Sequence, residues 1–250
     1  MESKSASPGK SRLSSFGRGA RLAVPITLGY VPVGFTFGVL AEKAGFSALE
    51  AGLMSLLVFA GSGQLIGINL ILLGLSPITV ITTTFVVNAR HLLMSAALTP
   101  FLGRWSKLKQ FLFTAEMTDE TFALNIGRFG EQTAGGGPGT QVDESEAFGV
   151  NLTSHAAWIL GGVLGALFGS LIADLRPYGL DFALAGMFIA LLVPHFKIPR
   201  HLATTIVAGA LSVILYLSGV EQWNVIIATV CAATLCLTLP FPHEKNKEKQ

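Results

Sequence analysis

The feature that most constrains this chain is a succession of apolar runs, most of them long enough to cross a bilayer. Crossing about 30 Å of hydrocarbon takes roughly 20 mostly apolar residues. Such runs lie at Leu22–Ala41, Leu49–Leu75, Pro77–Leu102, Phe148–Ala173, Leu180–Phe196, Leu202–Ser218 and Trp223–Leu239. Only 13% of the residues are charged, against about 25% in a soluble domain. Most of the chain therefore does not face water. The fold class that follows is all-α: a polytopic membrane helix bundle of six to seven membrane segments. Residues 1–21 read as a basic cytoplasmic tail. Residues 22–240 read as the membrane domain, with a polar region at 103–147, and 241–250 as a charged C-terminal tail.

Several classes of function drop out early. The net charge is only +2, and the basic residues sit in end segments rather than in one stripe, so nucleic acid is not a partner. Cys231 and Cys236 are too few for a zinc cage. Five residues apart on a helix, they point roughly 140° away from each other, so they read as packing residues rather than a disulfide. No metal site and no cofactor is expected. No HExxH, GxSxG, P-loop or dinucleotide fingerprint is present, so the chain does not read as an enzyme. The apolar run after the basic N-terminus outlasts a signal peptide and lacks a small-x-small cleavage site, so the tail should stay in place.

Basic residues favour the cytoplasmic side. They cluster in the N-terminal tail, at Arg104, Lys107 and Lys109, at Lys197 and Arg200, and in the C-terminal tail. All four clusters reach the cytoplasm under one arrangement. Leu49–Leu75 then enters and leaves on one side as a re-entrant hairpin broken at Gly61–Gly63. Phe111–Ile126, which by itself reads as an interfacial helix, a loop or a costly span, then does not cross. Six true spans remain, with both termini inside.

Polar residues interrupt the apolar runs at two places, which predicts discontinuous helices near Gly61–Gln64 and Asn88–His91. Arg90 lies near the middle of its run, with Asn88 and His91 beside it. A charge at that depth costs at least about 2.5–3.5 kcal/mol, so it should face protein or water and have a partner. It then suits binding a carboxylate or holding the partner of a proton-carrying acid; alternatively, it snorkels from one of two shorter helices. Gly61, Gly63 and Gln64 can expose backbone groups to a zwitterion, or simply kink a helix. Asp119 and Glu120 are either a solvated face or proton-coupling carboxylates. Gly34 and Gly38 fit the small-xxx-small pattern, and Ala157, Gly161, Gly165 and Gly169 make a longer stripe. That stripe predicts a closely packed helix from this chain or from a partner. His155, at the same span, reads as an interhelical hydrogen-bonder.

With these residues in view, the sequence resembles the AzlC family, large subunits of branched-chain amino acid exporters of the YgaZ type. The resemblance rests on Pro32-Val33-Gly34-Phe35-Thr36-Phe37-Gly38, Ser55 through Gln64, Val87-Asn88-Ala89-Arg90-His91, Thr118-Asp119-Glu120-Thr121 and Gly179 through Leu184. It implies a bacterial inner-membrane protein that exports valine, leucine or isoleucine, driven by protons. It also implies a small, hydrophobic partner subunit of the AzlD type. Substrate contacts are then expected at Gly61, Gly63, Gln64, Asn88, Arg90 and His91, and proton coupling at Asp119 and Glu120. Gly161, Gly165 and Gly169 are expected to pack helices. A channel or carrier for another small solute, or a scaffold that transports nothing, are the alternatives on the same membrane architecture.

Overall fold

A computed structural model describes residues 8–134, 142–172, 199–220 and 224–238, with isolated positions 182, 186, 189, 192, 193 and 196. The glycine-rich loop at 135–139, most of the expected span Leu180–Phe196 and the C-terminal tail lie outside the described residues. The described helices fall in two compact units, Met1–Gly186 and Met187–Gln250. Among the described residues the secondary structure is entirely helical.

In the first unit α1 is Pro8–Leu22 and α2 is Val24–Lys43. Helices α3 (Ala48–Leu57) and α4 (Gly61–Leu72) follow, then α5 (Pro77–Asn88) and α6 (Arg90–Leu102). Next come α7 (Lys107–Ala115), α8 (Asp119–Ala134) and α9 (Glu144–Phe168). Starts are well marked. The Ser47 hydroxyl accepts from the Glu50 N–H and Glu50 returns the bond, a capping box. Ser76 and Ser106 cap α5 and α7, and Asp143 accepts from the N–H groups of Ser145 and Glu146 on α9.

Within the expected N-terminal tail, residues 8–22 form a helix packed on α9. Gly19 lies against the Glu146 carbonyl and Gly149 against that of Phe16, too close for any side chain. Arg18 adds ion pairs to Asp143 at 2.9 Å and to Glu146 at 3.2 Å. The basic character of this segment is thus spent partly on holding α1 against α9.

Helices α2 and α9 run parallel along a glycine seam. A Cβ on Gly34 would lie 2.9 Å from the Trp158 carbonyl oxygen, and one on Gly161 2.5 Å from that of Val31. Gly38 meets Gly162, Gly165 meets Phe35, and Gly169 meets Val39 and Glu42. The stripe on α9 is therefore filled by α2 of the same chain and does not speak for a partner subunit. The pairings rise together along both helices, which fixes their common direction. The N-terminal end of α9 is called the near end below, and its C-terminal end the far end.

The remaining segments are positioned by their contacts with this pair. Helix α7 starts at the near end, where Lys109 pairs with Glu144, and climbs to Glu116 beside His155. Helix α8 then returns. Asn125 donates to Asn151 at 2.8 Å, and Arg128 and Gln132 both reach Glu146. Phe111–Ile126 thus belongs to a hairpin that enters and leaves at one end. Helices α5 and α6 continue through Ala89, which keeps helical dihedrals. They end at the near end, where Leu98, Leu102 and Trp105 share a core with Phe113, Phe129 and Ala147. Helix α4 lies antiparallel to α5, with Gly63 against Asn88 and Gly67 against Thr84, so it returns to the far end. There α3 had begun, with Gly52 against Val163. The second segment is therefore a hairpin as well. Its break falls at Val58–Ala60, two extended residues flanking Phe59, and Gly61 already starts α4. The legs α3 and α4 have 10 and 12 residues, or about 15–18 Å at 1.5 Å per residue, half of a bilayer core.

The second unit holds α10 (Pro199–Leu217) and α11 (Asn224–Thr238). They are antiparallel: Arg200 donates to the Cys236 carbonyl at 3.0 Å, and Asn224 reaches that of Ser212. Cys236 is buried and Cys231 exposed, both as free thiols. By length and apolarity, Val24–Lys43, Pro77–Leu102, Glu144–Leu171 and Pro199–Leu217 can each cross a membrane.

Candidate functional site

Both hairpins end halfway along the α2–α9 pair, at the level where α5 gives way to α6. Arg90, the first residue of α6, joins them. Its guanidinium pairs with Asp119 Oδ2 at 2.9 Å on the second tip and donates to Ser62 Oγ on the first. Both members of the ion pair are half-buried. Arg90 therefore has its partner within the protein.

The first tip is neutral and tightly packed. A Cβ on Gly61 would sit 2.9 Å from the Trp158 ring, and one on Gly63 2.7 Å from the Asn88 amide. A side chain at Gly61 or Gly63 would require the Trp158 ring or the Asn88 amide to move. Gln64 is buried, and its carbonyl accepts from Trp158 Nε1 at 2.6 Å. Helix α4 has no side-chain cap at Ala60, so its first N–H groups retain the partial positive charge of a helix start.

The second tip is acidic. Asp119 and Glu120 occupy the first turn of α8, where a negative charge is favoured. Thr118 and Thr121 cap that turn reciprocally: each hydroxyl accepts from the other's N–H, at 3.3 and 2.8 Å. The Tyr30 hydroxyl on α2 donates to Glu120 at 2.5 Å and lies 2.6 Å from Thr118 Oγ1. At the other side of the turn, Glu116 meets His155 Nδ1 at 2.6 Å, while Nε2 of the same ring meets the Ser55 carbonyl at 2.9 Å. Phe59, in the break of the first hairpin, stacks on that imidazole with centroids 4.3 Å apart.

Among the described residues, the buried side-chain polar atoms lacking a hydrogen-bond partner are Ser55 Oγ, Gln64 Nε2, Asn88 Oδ1, Arg90 Nε, His91 Nε2 and Trp105 Nε1. All but that of Trp105 lie on the segments that meet here. Each such atom costs about 1–3 kcal/mol and calls for an explanation. A groove of about 630 Å³ in the second unit is lined by His201, Thr204, Thr205, Ser212, Ala208 and Ala228 among others.

The residues singled out from sequence thus come together: Gly61, Gly63 and Gln64 from the first hairpin, Asn88, Arg90 and His91 from the α5–α6 junction, and Asp119 and Glu120 from the second hairpin. Sequence reasoning missed Tyr30, Ser62, Glu116, Thr118 and Trp158 as members, and read His155 only as a packing hydrogen-bonder. Glu116 carried a usable signal, a carboxylate inside a semi-apolar stretch. Tyr30 and Trp158 carried none, since aromatic residues are common in apolar helices.

Two half-length hairpins meeting at a paired charge inside an apolar bundle are an arrangement that polytopic membrane transport proteins use. The AzlC protein family matches residues 25–172, the stretch that contributes every residue of the site. The chain belongs to the AzlC family. An uncharacterized membrane protein of Archaeoglobus fulgidus is 33% identical over 90% of this chain and 95% of its own length. The Bacillus subtilis branched-chain amino acid transport protein AzlC is 30% identical over 89% of this chain and 84% of its own. The Escherichia coli inner membrane protein YgaZ is 28% identical over 95% and 94%. No solved structure matches the chain.

Proposed function

We propose that this chain is the large subunit of a proton-driven exporter of branched-chain amino acids in a bacterial inner membrane, working with a small hydrophobic AzlD-like subunit. The observation that carries the reading is the Arg90–Asp119 pair, set between two hairpin tips and surrounded by buried polar atoms without partners. The name of the Bacillus subtilis relative supplies the substrate class.

The chemistry runs as follows. The substrate carboxylate displaces Asp119 from Arg90 and takes up the N–H groups at the start of α4. Asn88 Oδ1 and the carbonyls of the break at Val58–Ala60 receive the ammonium. Phe59 offers an apolar wall to the aliphatic side chain. Asp119, once released from Arg90, is the site of proton coupling in this reading, with Glu120 beside it. Substrate and proton occupancy are linked through Arg90. The near end, with Arg104, Lys107 and Lys109, faces the cytoplasm under the positive-inside rule.

The test is efflux of preloaded valine, leucine and isoleucine from cells producing this chain, with and without the AzlD-like subunit, and with and without an uncoupler. Partner-dependent, uncoupler-sensitive efflux is expected. Arg90→Ala should lower it at least about tenfold at equal membrane level, since a hydrogen bond to a charged group is worth about 1.5–3 kcal/mol. Absence of efflux with both proteins in the membrane would refute the substrate class.

A further inference from the structure

We infer that Glu116 and His155 form a proton-binding dyad that latches the tip of the second hairpin to α9. Nothing in the family match or in the names of the relatives assigns these two residues a role. The inference deepens the proposed function only in saying that transport uses this proton; the proton site itself rests on hydrogen-bond geometry alone.

The geometry counts the protons. His155 Nε2 faces the Ser55 carbonyl at 2.9 Å. A carbonyl cannot donate, so Nε2 carries a hydrogen. Both ring nitrogens have partners, which also fixes the ring orientation. Nδ1 faces Glu116 Oε2 at 2.6 Å. That contact needs one proton between the two atoms. Either Nδ1–H donates to the carboxylate, or the protonated carboxyl donates to Nδ1. The two descriptions hold the same number of protons, and the dyad is neutral overall in both.

Loss of the shared proton leaves one ring hydrogen for two contacts, on Nδ1 for Glu116 or on Nε2 for Ser55. The Glu116 carboxylate is the more exposed partner and can take its charge to water, so the hydrogen stays on Nε2 and the carboxylate faces a lone pair. Two acceptors do not remain 2.6 Å apart. The deprotonated dyad must therefore part. His155 belongs to the long helix α9 and is held by Ser55 and by stacking on Phe59. Glu116 ends the nine-residue α7, just before the turn. The hairpin tip is the side that yields. The imidazole side chain is only 6% exposed and the carboxylate 25%, so the proton exchanges with solvent through Glu116.

The other titratable groups around the dyad are already engaged. Tyr30 on α2 is bonded to Glu120 on α8, and Asp119 on α8 to Arg90 on α6. His91 follows Arg90. None of them hydrogen-bonds to Glu116 or His155 among the described residues. Because Asp119 and Glu120 lie on the same turn, parting of the dyad moves the carboxylates that hold Arg90 and Tyr30. Proton release at Glu116 is thereby transmitted to the ion pair at the centre.

The experiment is hydrogen exchange at the backbone amides of Met117–Glu120 in the full-length protein in lipid nanodiscs, from pH 5 to pH 9, corrected for the intrinsic rate. In the wild type the corrected exchange should rise about tenfold per pH unit above the midpoint, as one linked proton requires. Glu116→Gln, whose amide donates to Nδ1 as the protonated carboxyl does, should keep the turn closed and flatten that slope. A flat wild-type profile, or an unchanged slope in Glu116→Gln, overturns the proposal. In cells, Glu116→Gln should lose uncoupler-sensitive valine efflux. If wild-type cells show no such efflux, the transport reading fails, while the exchange slope still decides the dyad.

Discussion

The two hairpins use one backbone plan for opposite chemistry. Each sends a short leg in from one end, turns halfway, and starts its returning helix beside Arg90. The first tip, at Val58–Gln64, presents a hydroxyl, an amide and bare backbone, and it is held by close packing of Gly61 on Trp158 and Gly63 on Asn88. The second, at Glu116–Glu120, presents three carboxylates and is held by Arg90, Tyr30 and His155. A neutral tip has no charge of its own to titrate, and its one tie to a charged group is the Ser62 hydroxyl on Arg90. An acidic tip has such charges. The difference separates a surface that recognises the shape and dipole of a solute from one that responds to protons.

Substitutions at matched positions sharpen this contrast. The largest effect should come from the partners of Arg90. Asp119→Asn should lower the initial efflux rate by roughly one to two orders of magnitude, as the loss of a charge-assisted bond predicts. Ser62→Ala, on the neutral tip, should cost less than about tenfold. The reverse ranking, measured at equal membrane level, would break the comparison. Next comes the packing of the first tip. Trp158→Phe removes the donor to Gln64, whose amide already lacks a partner on its nitrogen. A loss of about 1–3 kcal/mol should lower the melting temperature of the purified protein by about 2–4 °C per kcal/mol. Equal melting temperatures would mean that Gln64 finds another donor. The smallest effect concerns glycines. Gly127 on α8 has open space where a Cβ would go, whereas Gly63 has the Asn88 amide 2.7 Å away. Gly127→Ala should raise stability by about 0.4–1 kcal/mol, and Gly63→Ala should lower it, as read from thermal melts of both variants.

Much of this architecture was legible because membranes leave few options for a backbone. The apolar runs and the basic clusters predict a re-entrant second segment, a crossing third and a polar stretch that fails to cross, the same pattern of ends that the contacts of α3–α8 describe. Asn88 and Arg90 mark the α5–α6 junction because a polar pair inside an apolar run must have a reason to be there. The break in the second segment was misplaced because glycine signals two things at once, permissive dihedrals and room for a neighbour. Gly61 and Gly63 provide room, while the extended residues are Val58 and Ala60. The packed helix over residues 8–22 was not legible, because their composition is polar. Their order depends on Gly149 and Glu146, more than a hundred positions away, and no local pattern carries that. Tyr30 and His155 escaped for the same reason: their partners Glu120 and Glu116 lie about 90 and 39 positions away.

The glycine seam between α2 and α9 has a mechanical consequence. Where two backbones touch, no side-chain rotamers are available to absorb a shear, and small displacements meet hard repulsion at once. The two helices can move only as one body. They act as the stator of this machine, and any swing that exposes Arg90 to one side or the other belongs to the half-length hairpins. Under the proposed function, solute passes between two short arms alongside a fixed post.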